Sequence, residues 1–234
     1  MKLNVNKCKL MRITRTTNHN IPCSYSLDDT PLTQVTKYKY VGVQITDDLS
    51  WKAHIEYITN EANRMLGFIR RNFSLAPIPV KLLLYKTLVR SKIEYAAPVW
   101  DPYTNSLIGL LESIQNRSAR FIMSNYSRHE SVSEMKRTLN LPDLAIRRRI
   151  SRLCTFHKIY YGNETLKQSL FNPPVHISSR RDHQLKVHIP QCRTVQYLNS
   201  FVPRTASDWN HLPSTVVVIN DSQKFKDTVN AYEL

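Results

Sequence analysis

Two acidic pairs and one run of arginines are the residues whose types and spacing could do chemistry. The pairs are Asp28-Asp29 and Asp47-Asp48. Two-metal phosphoryl transfer needs carboxylates that converge on ions about 4 Å apart. Asp28-Asp29 instead begins the turn string Asp28-Asp29-Thr30-Pro31, where such residues serve the backbone. Asp47-Asp48 stands just ahead of a helix start, where acids are favoured by the helix dipole. Both pairs read as structural. His176, His183, His188 and Cys192 lack the short-pair spacing of a structural zinc site. The four cysteines (Cys8, Cys23, Cys154, Cys192) form no Cys-x-x-Cys, and neither a Gly-rich phosphate loop nor a nucleophile elbow occurs. No catalytic residue, metal ligand or cofactor is expected in this chain.

The arginine run is Arg147, Arg148, Arg149 and Arg152. On a helix whose core face is Ile146, Ile150, Leu153, Cys154, His157, Tyr160 and Tyr161, the outer face carries Arg148, Ser151, Arg152 and Thr155. Arg147 and Arg149 flank it. Arginines on successive turns of one face can act as a rail for phosphates, reading backbone and not bases. The plainer alternative is a solvated charged face. The charge balance favours a polyanion. Lys plus Arg is 33 against 18 acids, a net +15, and the excess concentrates in the middle of the chain.

These residues must be positioned by strands first and helices afterwards. Residues 1–49 read as strands at Lys7–Arg15, Ile21–Leu27 and Lys37–Thr46, with Gly42 marking a bulge or a close backbone approach. From Ser50, a good N-cap, the period becomes helical. Trp51, Ile55, Ile58, Ala62, Met65, Leu66 and Ile69 share a face, and Arg70 and Arg71 close the helix. Pro79 to Trp100 reads as a central helix with two apolar rows, Val80-Leu84-Leu88 and Leu82-Tyr85-Val89-Ile93, both requiring cover. Lys86, Arg90 and Glu94 run between the rows, with Arg90 and Glu94 at ion-pair spacing.

A third helix begins near Thr104, with Leu107, Leu110, Leu111, Ile114, Phe121 and Ile122 on its core face. Asn116 and Arg120 lie opposite, and Arg117 sits at the margin. Ser131-Val132-Ser133-Glu134 is a capping box for a fourth. Leu141-Pro142 opens the fifth, the arginine helix, which Gly162 stops. After Asn172-Pro173-Pro174 come expected strands at Gln184–Ile189 and Arg193–Leu198, a short helix at Arg204–His211 and a last helix at Ser222–Tyr232. No apolar run approaches the ~20 residues of a membrane helix, and no signal segment is visible. The expected setting is intracellular, nuclear or cytoplasmic, without a membrane partner.

Several long strings, in order, resemble the C-terminal portion of non-long-terminal-repeat retrotransposon reverse transcriptases of the jockey-like kind. They are LNVNKCKLMRI, KYKYVGVQITDDLSWKAHIEYI, LGFIRRNF, VKLLLYKTLVRSKIEYAAPVWDP, LLESIQNRSARFI, RRRISRLCTFHKI and SFVPRTASDWNHLP. The resemblance implies an α+β fold: residues 1–49 as a palm remnant with a primer-grip-like hairpin, 50–125 as a helical thumb, 126–172 as a basic helical extension, and 173–234 as a mixed, irregular C-terminal region. It places Lys7, Tyr38, Lys39, Tyr40, Val41 and Gly42 near the nucleotide or primer end, with Val41 standing where the family's YLGV segment has Leu. Arg70, Arg71, Arg117, Arg120, Arg147, Arg148, Arg149 and Arg152 become the expected contacts to the backbone of an RNA–DNA or DNA duplex.

The family's Tyr-x-Asp-Asp pair and upstream Asp, which hold Mg2+ in the intact enzyme, do not occur in this sequence. The expectation is a truncated polymerase fragment, inactive alone, that retains a nucleic-acid-binding thumb. The missing catalytic part of a parent polymerase would be a further partner. The alternative is a noncatalytic helical scaffold, or a relic without a role.

Overall fold

The computed structural model describes residues 4, 7–14, 24–178 and 182–233. It is an α+β chain, mostly helical, that divides into two compact units, Met1–Tyr57 and Ile58–Leu234.

Among the described residues, the first unit holds six short strands: β1 (Lys9–Leu10), β2 (Ser26–Leu27), β3 (Thr30–Pro31), β4 (Thr33–Gln34), β5 (Lys37–Tyr40) and β6 (Val43–Thr46). β1 pairs with β4 in parallel, while β2 with β3 and β5 with β6 are antiparallel hairpins. The expected strand at Lys7–Arg15 is therefore paired only at Lys9–Leu10, and Arg15 lies outside the described residues. Of Ile21–Leu27, Ile21 to Cys23 also lie outside them, and the strand is Ser26–Leu27. Lys37–Thr46 is two strands folded at Val41-Gly42, so Gly42 marks a turn and not a bulge.

Both hairpin turns have positive φ at their two central residues, the geometry whose twist suits a two-residue hairpin. At Asp28 (φ 48°) and Asp29 (φ 58°) short polar side chains tolerate it. Gly42 (φ 82°) adopts it freely, but Val41 (φ 44°) is β-branched and strained there. Asp48 also serves local structure. Its Oδ1 accepts the Thr46 hydroxyl at 2.5 Å and the Ser50 N–H at 2.9 Å, which together hold its carboxyl below the usual range. Ser50 Oγ in turn accepts the Lys52 N–H at 3.2 Å, at the head of α1 (Lys52–Asn72).

In the second unit, α1 buries Ile58, Ala62, Leu66 and Ile69 on one stripe. The expected central helix starts at Ile78 and is not uniform: α2 (Ile78–Leu84), a π-helical turn (Tyr85–Arg90), α3 (Ser91–Glu94), and then α4 (Ala97–Trp100) after a break at Ala96, whose φ is 53°. The buried residues are Lys81, Tyr85, Val89, Ile93 and Ala97, each four apart. Steps of four drift about 40° around an α-helix. The wider π turn winds back against that drift, so the series keeps one face. Covering the helix on two sides does not hold, because Val80 and Leu88 are exposed and Leu84 is half-buried. On the covered side, Tyr85 donates to Gln115 Oε1 at 2.8 Å, and Gln115 Nε2 donates to the Pro142 carbonyl at 2.9 Å.

α5 (Asn105–Ile122) buries Leu111, Ile114, Phe121 and Ile122 but leaves Leu110 exposed. Half of the capping box forms: the Glu134 N–H donates to Ser131 Oγ at 3.4 Å and starts α6 (Val132–Thr138), while the Glu134 carboxylate pairs with Arg137.

The arginine helix is α7 (Leu144–Gly162), followed by α8 (Glu164–Leu170). The expected strands at Gln184–Ile189 and Arg193–Leu198 do not form. Residues 184–189 are irregular, and Val195–Leu198 is a helical turn, α9, capped by Thr194 Oγ1. The chain then makes α10 (Phe201–Asn210), α11 (Ser214–Val217) and α12 (Ser222–Glu233). These helices wrap α7 around an aromatic core. Phe156, which is absent from the core face that periodicity marks, stacks on Phe171 at 4.0 Å between ring centres and lies 5.0 Å from Trp209. Trp209 anchors its indole N–H on the Leu185 carbonyl at 2.9 Å, and His157 stacks on Phe225. Among the described residues, no helix is long and apolar enough to cross a membrane.

Candidate nucleic-acid interface

The eight arginines fall into two sets. Among the described residues, Arg70, Arg71, Arg117 and Arg120 have no carboxylate within ion-pair distance, whereas Arg147, Arg148, Arg149 and Arg152 all do.

The first set belongs to α1 and α5. Arg70 and Arg71 end α1 and are exposed. With Lys81, Phe121, Ser124 and Tyr126 they line a groove of about 510 Å³ that contains no acidic residue. The Arg70 guanidinium lies 5.4 Å from the centre of the Tyr126 ring. Lys81 Nζ donates to Ser124 Oγ at 2.7 Å and sits 5.1 Å from the Phe121 ring centre, so its charge is held at the groove wall while its stem is buried. Arg120 donates to the Ser127 carbonyl at 2.7 Å, and Arg117 to Asn63 Oδ1 at 2.9 Å. Neither bond neutralises the guanidinium. Cations interleaved with aromatic rings, and free of carboxylates, can hold phosphates and stack bases.

Sequence reasoning does not single out Lys81 or Tyr126. A lysine in the buried four-residue series Lys81-Tyr85-Val89-Ile93 is a legible sign that the series opens on something polar. Tyr126, in a loop, carries no such sign.

The second set is not on an outer face, which corrects the reading of a phosphate rail on α7. Arg148 is 1% exposed and Arg152 2%. Asp101 takes Arg148 Nε on Oδ1 at 2.7 Å and Arg152 Nε on Oδ2 at 2.8 Å. Arg152 also donates to Asp208 Oδ2 at 2.9 Å and Thr205 Oγ1 at 3.1 Å. Arg149 pairs with Asp208 at 3.2 Å, and Arg147 grips Glu94 with two bonds, one of them Nη2 to Oε2 at 2.9 Å. Arg204 adds a bond to Asp101 Oδ2 at 3.3 Å. The Asp101, Arg147–Arg152 and Arg204–Asp208 strings thus meet in one ion network, because α4 and α10 both pack on α7. With Arg148 and Arg152 buried under them, α7 has no solvated arginine rail.

In the Met1–Tyr57 unit, Tyr38, Tyr40 and Val41 are exposed on the β5–β6 hairpin. Tyr38 donates to the Lys7 carbonyl at 3.3 Å, and Lys39 Nζ bonds the Tyr57 hydroxyl at 3.0 Å. Gly42 completes the turn beside Val41. His183, from the sequence's zinc candidates, is buried with its Nε2 3.1 Å from the Trp209 carbonyl. Among the described residues, no group of three or more His, Cys, Asp or Glu is placed to hold a metal ion.

Over 126 residues, 51% of its length, the chain is 23% identical to the probable RNA-directed DNA polymerase from transposon X-element of Drosophila melanogaster. This supports a reverse-transcriptase-related origin. The match spans 14% of that relative's length. No protein-family model and no solved structure matches the chain.

Proposed function

We propose that the Ile58–Leu234 unit binds the sugar-phosphate backbone of an RNA–DNA or DNA duplex, as the thumb of a reverse-transcriptase-derived chain. The observation that carries this reading is the groove of Arg70, Arg71 and Lys81, lined by Phe121 and Tyr126 and free of carboxylates. Arg117 and Arg120 on α5 extend the charge that no carboxylate offsets. The similarity to a transposon polymerase supports the choice of nucleic acid over other polyanions. Arg147, Arg148, Arg149 and Arg152 have no direct part in this contact, since their charges are engaged inside the fold. The exposed Tyr38–Gly42 hairpin, with Lys7, is the counterpart of the primer-gripping segment by resemblance. The role proposed for this unit is to hold the duplex.

The test is the salt dependence of duplex binding by the full chain, followed by fluorescence anisotropy. Log affinity falls linearly with log salt, with a slope of about −0.9 for each phosphate neutralised. A flat salt response, or no binding at low salt, overturns the proposal.

A further inference from the structure

Phosphates account for Arg70, Arg71 and Lys81 in the groove at the ends of α1 and α5, but not for the Tyr126 ring. The face of an aromatic ring carries negative charge density, so a phosphate gains nothing by lying against it. Tyr126 is nevertheless 54% exposed at the groove. The Arg70 guanidinium stands over the ring at 5.4 Å from its centre, within cation–π range. With so much of the residue exposed, the ring still offers surface that this cation does not cover.

The ring is also held in place by its loop. α5 ends at Ile122, and Ser124 turns the chain with a left-handed φ of 52°. Arg120, in the last turn of α5, grips the loop at two points. Its carbonyl accepts the Asn125 N–H at 3.0 Å, and its guanidinium donates to the Ser127 carbonyl at 2.7 Å. Asn125 Oδ1 accepts the Ser127 N–H at 3.0 Å, and Ser124 Oγ accepts Lys81 Nζ at 2.7 Å. Tyr126 lies between these anchors, so its backbone is positioned before a ligand arrives. Binding then costs less in ordering.

We propose that Tyr126 is a stacking platform for one unpaired base, and that the groove receives nucleic acid where a duplex meets a single strand. This rests on duplex binding by the same groove, and it specifies the form of nucleic acid preferred. Within a continuous duplex the base faces are stacked on one another, and an aromatic side chain can reach one only when the base is unpaired and splayed out. The recess of about 510 Å³ has the size of a small-ligand site. That suits a single nucleotide and excludes a paired one. Arg70, Arg71 and Lys81 take the phosphates beside the stacked base. Every base has a π face, so the site is indifferent to sequence.

The test is fluorescence anisotropy of the full chain with three probes at one salt concentration: a blunt duplex, the same duplex with a short unpaired tail, and that tail made abasic. Tails of both polarities are tried, and the tighter one is used. The wild type is expected to bind the tailed duplex about tenfold more tightly than the blunt one, the worth of one stacked base. The abasic tail keeps its phosphates and loses that gain. Tyr126→Phe keeps the preference for the tail, and Tyr126→Leu abolishes it. Equal affinity for tailed and blunt duplexes, or a preference that survives in full with the abasic tail or in Tyr126→Leu, overturns the stacking site. If blunt-duplex binding is steeply salt-dependent in that case, duplex binding itself stands. Absence of binding by every probe at low salt overturns both.

Discussion

Asp101 and Arg152 stand 51 residues apart in the chain and meet at 2.8 Å, with side chains 5% and 3% exposed. The same carboxylate holds Arg148 and Arg204, so three cations depend on it. Asp101→Asn keeps the shape and removes the charge. Breaking one side of a buried ion pair typically loses about 3–5 kcal/mol. We expect a loss in that range by urea denaturation, and a smaller one for Asp208→Asn, whose side chain is 21% exposed. Equal stability of the wild type and Asp101→Asn would show that packing alone holds the network.

The two sets of arginines should separate in a salt titration. Arg70→Gln with Arg71→Gln should reduce the magnitude of the log–log slope for duplex binding by about 2, near 0.9 for each phosphate left without its arginine. Arg147→Gln should leave that slope where it was, because Glu94 already neutralises Arg147. A slope that responds to Arg147 and ignores Arg70 and Arg71 would reverse the assignment.

Val41 occupies the left-handed region at φ 44°, beside Gly42 in the β5–β6 turn. Asn-Gly is the favoured pair for such a turn, and a non-glycine residue held there stores about 1–3 kcal/mol. Val41→Asn is therefore expected to stabilise the hairpin by about 1 kcal/mol. Amide hydrogen exchange across Lys37–Thr46 is the measurement, and it should slow. Faster exchange would mean that the Val41 side chain makes up for its strained backbone.

His54 gives the Met1–Tyr57 unit a pH dependence. Burial, and secondarily the charge of Lys39, lower its value from 6.5 to about 4. Its Nδ1 accepts the Gln44 N–H at 3.2 Å, which only an unprotonated Nδ1 can do. The unfolded ring takes up its proton as pH falls through 6.5, while the folded ring resists until about 4. Stability from His54 is thus complete above the upper value, is lost between the two, and changes no further below the lower one. The loss is up to about 3 kcal/mol. In thermal denaturation, His54→Gln should flatten the pH dependence within that window, and an unchanged profile would place the titration elsewhere.

Much of the helical frame is legible from periodicity and caps. The Ile58–Ile69 stripe, the Leu111–Ile122 face and the Ser131–Glu134 box each depend on neighbours within a few residues, which a linear pattern records. The faces of α7 are not legible. Arg148 and Arg152 carry the polarity of a solvent face, and only the arrival of Asp101 and Asp208 from distant segments makes their burial tolerable. The apolar series from Tyr85 to Ile93 is legible, but the π turn that holds it in register is not. The failed strands at 184–198 have a related cause. Val187 and Leu185 read as alternating strand residues, yet the Val187 N–H and carbonyl are both taken by the Asn210 side chain, at 2.9 and 2.8 Å. Among the candidate sites, charge locates the Arg70–Arg71 end of the groove. Tyr126 depends on tertiary placement.

The bond from Arg204 to the backbone carbonyl of Asp101, at 3.1 Å, links residues 103 apart. During synthesis the Asp101 and α7 segments leave the ribosome well before Arg204 and Asp208 do, and domains fold as their chain emerges. Arg149 must therefore await Asp208, and Arg152 its second carboxylate, until α10 has been made and docked. Docking of α10 is thereby an electrostatic step as well as an apolar one: it closes the Asp208 pairs over a half-satisfied arginine cluster. A nascent chain stopped short of α10 would display that cluster to the anions around it, whereas the finished chain seals it.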